Sequence, residues 1–170
     1  MRDPIALDQA FKRGDLKTVR SLLGDPPDFP NCRGPLAVGR IVLEYAIYHS
    51  PLPFVRVLLE LGADPNYGES AGFPSLLAAL STNREDRYEI VEILLAFGAD
   101  IQQRGVNDYT PLHYAAAQND VRMAELLLSH GADPLAKTGI DDFTTPQEEA
   151  ESRGFSNLAQ ILKQAAEQST

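Results

Sequence analysis

Apolar residues along this chain recur in two alternating helical patterns. In VRMAELLLSHG, Val121, Ala124, Leu127 and Leu128 fall at i, i+3, i+6 and i+7, which lines them up along one face of a helix. Gly131 follows, where a left-handed residue ends such a helix at least cost. In TPLHYAAAQ, Thr110 stands where it can cap a helix and Pro111 occupies the first turn, a position that sacrifices no amide donor. Leu112, Ala115 and Ala116 then face inward, and the alanines let neighbouring helices approach closely. The two segments predict a helix–turn–helix followed by an extended loop that turns back.

Both patterns return. LLELGADPN (58–66) reappears as LLAFGADIQ (94–102) and as LLSHGADPL (127–135), with glycines at 62, 98 and 131. Upstream, TPLHYAA (110–116) has degenerate counterparts in IVLEYAI (41–47), PSLLAAL (74–80) and TPQEEAE (145–151). Two motifs in fixed order at a period of about 33 residues resemble the ankyrin repeat. The resemblance covers nearly the whole chain and implies an all-α solenoid of about five helix–turn–helix units with finger loops. The units are expected at 3–34, 35–67, 68–103, 104–138 and 139–166, forming a single domain over 1–170. The first and last are degenerate, as terminal caps are. The last one puts Gln147 and Glu148 where Leu112 and His113 stand, a change suited to a unit with no further repeat packed outside it.

Composition narrows the function. The 170 residues are 44% hydrophobic and carry a net charge of −9, which argues against disorder and against nucleic acid, whose phosphates require a basic face. The acidic balance suits solubility or the steering of a basic partner. A single cysteine, Cys32, fits a reducing compartment. The charged N-terminal stretch MRDPIALDQAFKRGD reads as no secretory signal, and no apolar run approaches membrane length. The reading is a cytoplasmic monomer that binds no membrane.

The residues that look chemical are read as architecture. The resemblance makes His113 the histidine of the T-P-L-H motif, whose imidazole holds a loop backbone. His130 precedes a helix-ending glycine, and His49 closes another first helix. No two histidines have ligand spacing and Cys32 has no second sulfur nearby, so no metal and no cofactor is expected. There is no phosphate-cradling glycine loop and no nucleophile elbow. Asp141/Asp142 and Glu148/Glu149/Glu151 are read as solvated carboxylates, and the chain as no enzyme.

The resemblance also implies where a partner would dock: the concave face made by finger tips and the exposed side of each first helix. The slots carried over are Arg40, Tyr48, His49, Phe73, Asn107, Asp108, Tyr109 and Gln118. Large aromatics at Tyr48, Phe73 and Tyr109 resemble binding anchors; the other reading is that each packs on its neighbouring finger and stiffens it. STNREDRYE adds three residues and four charges (Arg84 to Arg87) between two helices, either a neutral insertion or a second surface. The function expected is non-catalytic protein binding, as inhibitor or adaptor. An antidote to a basic-clefted enzyme such as a nuclease, and a structural scaffold, are the alternatives.

Overall fold

A computed structural model of the chain describes residues 3–33, 41–67, 73–105, 108–139 and 143–169. Ten α-helices run through them: α1 (Pro4–Arg13), α2 (Leu16–Leu23), α3 (Val42–His49), α4 (Leu52–Glu60), α5 (Ser75–Ser81), α6 (Arg87–Ala96), α7 (Pro111–Ala117), α8 (Val121–Ser129), α9 (Pro146–Ser152) and α10 (Ser156–Gln168). They alternate as first and second helices of successive pairs. The contacts divide the chain into two bodies, Met1–Ala99 and Asp100–Thr170. In the first, α1 packs on α3 and α3 on α5, while α4 packs on α6. In the second, α7 packs on α9 and α8 on α10.

Local chemistry sets the helix ends. Asp3, Asp15 and Asp120 cap α1, α2 and α8 through their carboxylates. Thr110 and Thr145 begin α7 and α9 with capping boxes, reciprocated by His113 and Glu148 three residues on. The helices whose Thr-Pro signal is missing, α3 and α5, start without a side-chain cap.

The L-L-x-x-G-A-D motif resolves into two turns in series. The amide of Ala63 returns to the Leu58 carbonyl (2.9 Å) and that of Gly62 to the Leu59 carbonyl (3.0 Å), the pairing that closes a helix on a left-handed glycine. Ala99 and Ala132 do the same to Leu94 and Leu127. Each aspartate then accepts the amide two residues on: Asn66 to Asp64 (2.8 Å), Gln102 to Asp100 (2.9 Å) and Leu135 to Asp133 (2.8 Å). In the first body successive turns are tied together by asparagines. Asn31 donates to the Gly62 carbonyl (2.9 Å) and accepts from the Asp64 amide (2.7 Å), and Asn66 donates to the Gly98 carbonyl (2.8 Å).

The core follows the repeat register. Leu58, Leu94, Leu127 and Leu162 occupy one position of the second helices and all are fully buried. Ala46, Ala79, Ala115 and Ala150 do the same on the first helices, where a small side chain allows close packing. In α8 the buried residues are Met123, Ala124 and Leu127, with Val121 and Leu128 only half-buried. The buried face is therefore turned from the expected stripe, because α8 meets α7 on one side and α10 on another. The final pair departs as its sequence suggests: Gln147 and the exposed Glu151 hydrogen-bond each other (2.8 Å). Helix α10 runs to Gln168 because Ala166 replaces the glycine that ends α8 at the equivalent place.

Candidate functional site

In the first body a ring cluster runs from the buried Phe11 and Tyr45 out to the exposed end of α3. Tyr45 is sandwiched between Phe11 (4.8 Å) and His49 (4.5 Å), and Tyr48 lies 6.1 Å from the His49 ring. The Tyr45 hydroxyl donates to Asp8 (2.7 Å), whose other oxygen pairs with Lys12 (2.9 Å). Lys12 and then Tyr45 hold the Asp8 carboxyl below the usual carboxylate range. On α5, Ser81 donates to the Ala78 carbonyl (2.9 Å). Its oxygen is then free to accept from Tyr48, 2.9 Å away. His49 is exposed and Tyr48 half-buried. Phe73, also half-buried, offers its carbonyl to the buried Tyr67 hydroxyl.

In the second body the predicted residues are worked more deeply into the frame. Asp108 adopts φ 59°, and Arg104 clamps it by bonding its carboxylate (2.6 Å), its carbonyl (3.0 Å) and the Lys137 carbonyl (2.7 Å). Tyr109 packs on His113 (5.5 Å) and edge-on to Tyr114 (6.4 Å). Glu149, which Arg153 holds at 2.6 Å, lies near enough to act on its hydroxyl. Burial first, and then Glu149, raise the Tyr109 phenol above its ordinary value. Gln118, closing α7, is exposed. Tyr48 and Phe73 thus belong to the first body and Tyr109 to the second. Arg40 and Asn107 lie outside the described residues, as do Asp141 and Asp142.

His113 is fully buried between two partners. Nε2 is 2.9 Å from the Thr144 carbonyl and Nδ1 is 2.8 Å from the Thr110 hydroxyl. A carbonyl only accepts, so Nε2 carries the proton and Nδ1 accepts from threonine. Burial lowers its pKa. The unfolded chain therefore takes up a proton at a pH where the folded one does not, and stability falls as pH drops below about 6.5. We expect His113→Leu, the residue Leu77 supplies at the same repeat position, to cost about 1–3 kcal/mol at pH 7.5. Urea midpoints at pH 7.5 and pH 5 should show a smaller acid loss in the variant than in the wild type.

Two features escaped the sequence reading. Arg84 is turned inward, donating to the Ile47 carbonyl (3.2 Å) and the Ser50 carbonyl and forking onto Asp86 (2.7 and 2.6 Å). The insertion is thus in part a clamp on the end of α3. Beside it, Arg87 stacks over Tyr88 at 5.0 Å. The Glu149–Arg153 pair beneath Tyr109 is the second. At the end of α8, His130 Nδ1 donates to the Leu126 carbonyl (2.9 Å), a helix-closing role. Among the described residues no three His, Cys, Asp or Glu side chains are placed to hold a metal ion. No helix among them is long and apolar enough to cross a membrane.

The family described as ankyrin repeats (3 copies) matches residues 7–105 and again 69–138. The chain belongs to the ankyrin-repeat family. Relatives include XBAT34 of Arabidopsis thaliana, named as a candidate E3 ubiquitin-protein ligase, 37% identical over 49% of this chain and 22% of its own length. The ankyrin repeat and KH domain-containing protein mask-1 of Caenorhabditis elegans is 27% identical over 91% of the chain and 6% of its own. The transient receptor potential channel pyrexia of Drosophila melanogaster is 32% identical over 69% and 12%. The chain thus spans less than a quarter of each of these ankyrin-repeat relatives, whose names describe unlike proteins. What they share with it is the repeat, a generally non-catalytic scaffold that mediates protein–protein interaction.

Proposed function

We propose that this ankyrin chain is a protein-binding module whose partner docks on the finger tips and the exposed sides of the first helices. The observation that supports it most is the ring cluster of α3. There, Tyr48 and His49 present aromatic surface to solvent above a base locked by Tyr45, Asp8 and Lys12. Rings pre-set in this way give contact area with little entropy left to lose. In the first body the surface comprises Tyr48, His49 and Phe73, with Arg40. In the second it comprises Asp108, Tyr109 and Gln118, with Asn107. Tyr109 and Asp108 contribute mainly by holding the finger, and Gln118 is the side chain that reaches solvent.

The five units expected from the sequence belong to the same proposal, as does a cytoplasmic monomer with no cofactor and no binding of membrane or nucleic acid. The net charge of −9 favours one refinement, a partner with a basic surface. The chain would then act as an inhibitor or adaptor, and an enzyme with a basic cleft is the sharpest form of that target. Affinity capture from the native host's lysate tests the proposal. The baits are wild type, His49→Glu, Gln118→Glu and Tyr48→Ala/Phe73→Ala, each shown to fold. At least one variant should lose the captured partner tenfold or more. Equal capture by all four would reject this face.

A further inference from the structure

We propose that a notch between the first two interhelical turns is a second docking site, for a linear protein segment that sets a bulky apolar side chain among carboxylates. The notch lies wholly within the first body. It encloses about 420 Å³ between the α1–α2 turn and the start of α4, lined by Leu16, Pro51, Pro53, Phe54 and Val57, with Arg13 at its rim. The surface proposed above is built on first helices. This notch is built largely on the beginnings of second helices.

Its walls are apolar for identifiable reasons. Gly14 sits at φ 67°, and a Cβ there would come within 3.2 Å of the Phe54 Cβ; the missing side chain lets the turn close directly over Phe54. Pro51 precedes α4 and Pro53 lies in its first turn, and neither has an amide to offer water. Pro51 and Pro53 are exposed and Leu16 and Val57 half-buried, so the walls are open to solvent. The volume is within the range of a ligand pocket and ample for one large side chain.

Charge selects the occupant. Arg13 is exposed on the last turn of α1, and its field, with that of Lys17, reaches Asp15. Asp15 is itself committed to α2, accepting the Thr18 amide (3.1 Å) and hydroxyl (2.6 Å). Arg13 is thus the one charged residue among those lining the notch, a locally positive rim on a chain of net charge −9. An apolar slot with a positive rim fits an acid-flanked apolar residue and repels a basic-flanked one. This polarity is opposite to that proposed for the partner of the first-helix face, so the two sites are separable by experiment.

The test is an amide-resolved NMR titration of the whole chain with three end-blocked peptides. One has a central phenylalanine flanked by aspartates. The second has alanine in place of that phenylalanine, and the third has lysines in place of the aspartates. The first should shift the amides of Gly14, Leu16, Phe54 and Val57, and bind at least tenfold more tightly than the other two. Added salt should weaken it. Arg13→Glu should reverse the preference towards the lysine peptide, and Val57→Gln should weaken both. Shifts confined to other regions, equal response to all three peptides, or unchanged binding by both variants would overturn the proposal. His49→Glu should leave this binding intact, so loss of the first-helix reading would not remove it.

Discussion

Leu58→Ala is expected to lower the unfolding free energy by about 3 kcal/mol, within the range of leucine truncations in packed cores. Leu58 is fully buried on α4, a helix packed against both α3 and α6, so the vacated space has rigid walls on two sides and collapses poorly. The backbone bond from Ala63 to the Leu58 carbonyl survives the change, which isolates the side-chain effect. Leu61→Ala is the matched control: 46% exposed and three residues away, it should cost under about 0.5 kcal/mol. Urea unfolding of both variants measures the difference, and similar costs would contradict the repeat register assigned to the core.

Arg84→Ala should come next, at about 2–3 kcal/mol. The change strands the Ile47 and Ser50 carbonyls at the end of α3 and leaves Asp86 without its forked partner. Each unsatisfied buried group costs on the order of 1–3 kcal/mol, discounted here because the Arg84 side chain is 19% exposed. Arg84→Lys should recover only part, since an ammonium cannot make the fork. The pair also has a pH signature. Arg84 holds Asp86 below the usual carboxylate range, so its contribution is present above about pH 4 and disappears as pH falls through the lower folded value. The alanine variant should lack that increment of acid sensitivity. A loss under about 0.5 kcal/mol in Arg84→Ala would return the loop to a neutral insertion.

What was legible in the sequence is what is local. The turns after α4, α6 and α8 are each written in seven consecutive residues, because the glycine, the alanine and the aspartate each bond within five positions. The threonine boxes at α7 and α9 are closed three residues on. Interactions that cross between repeats were legible only where the family motif carries them, as at His113, which reaches Thr144. Arg84 bonds Ile47, and the Glu149 carboxylate acts on the Tyr109 phenol. No spacing rule announces either interaction, so Arg84 read as part of an insertion, neutral or a second surface, and Tyr109 as either a binding anchor or a residue packed on its neighbouring finger. The candidate surface was legible as positions, since the repeat register says which residues close each first helix. How far each is tied down depends on partners many residues distant: Tyr109 is bound into the frame, while His49 and Gln118 reach solvent.

Hydrogen–deuterium exchange of the chain with and without its captured partner is the most direct test of the central claim. The account predicts slowed exchange over α3 and its end (42–50) or over the finger and α7 (108–118), with the glycine turns at 62–66 and 131–135 unchanged. Protection of those turns, with 42–50 and 108–118 unaffected, would contradict it.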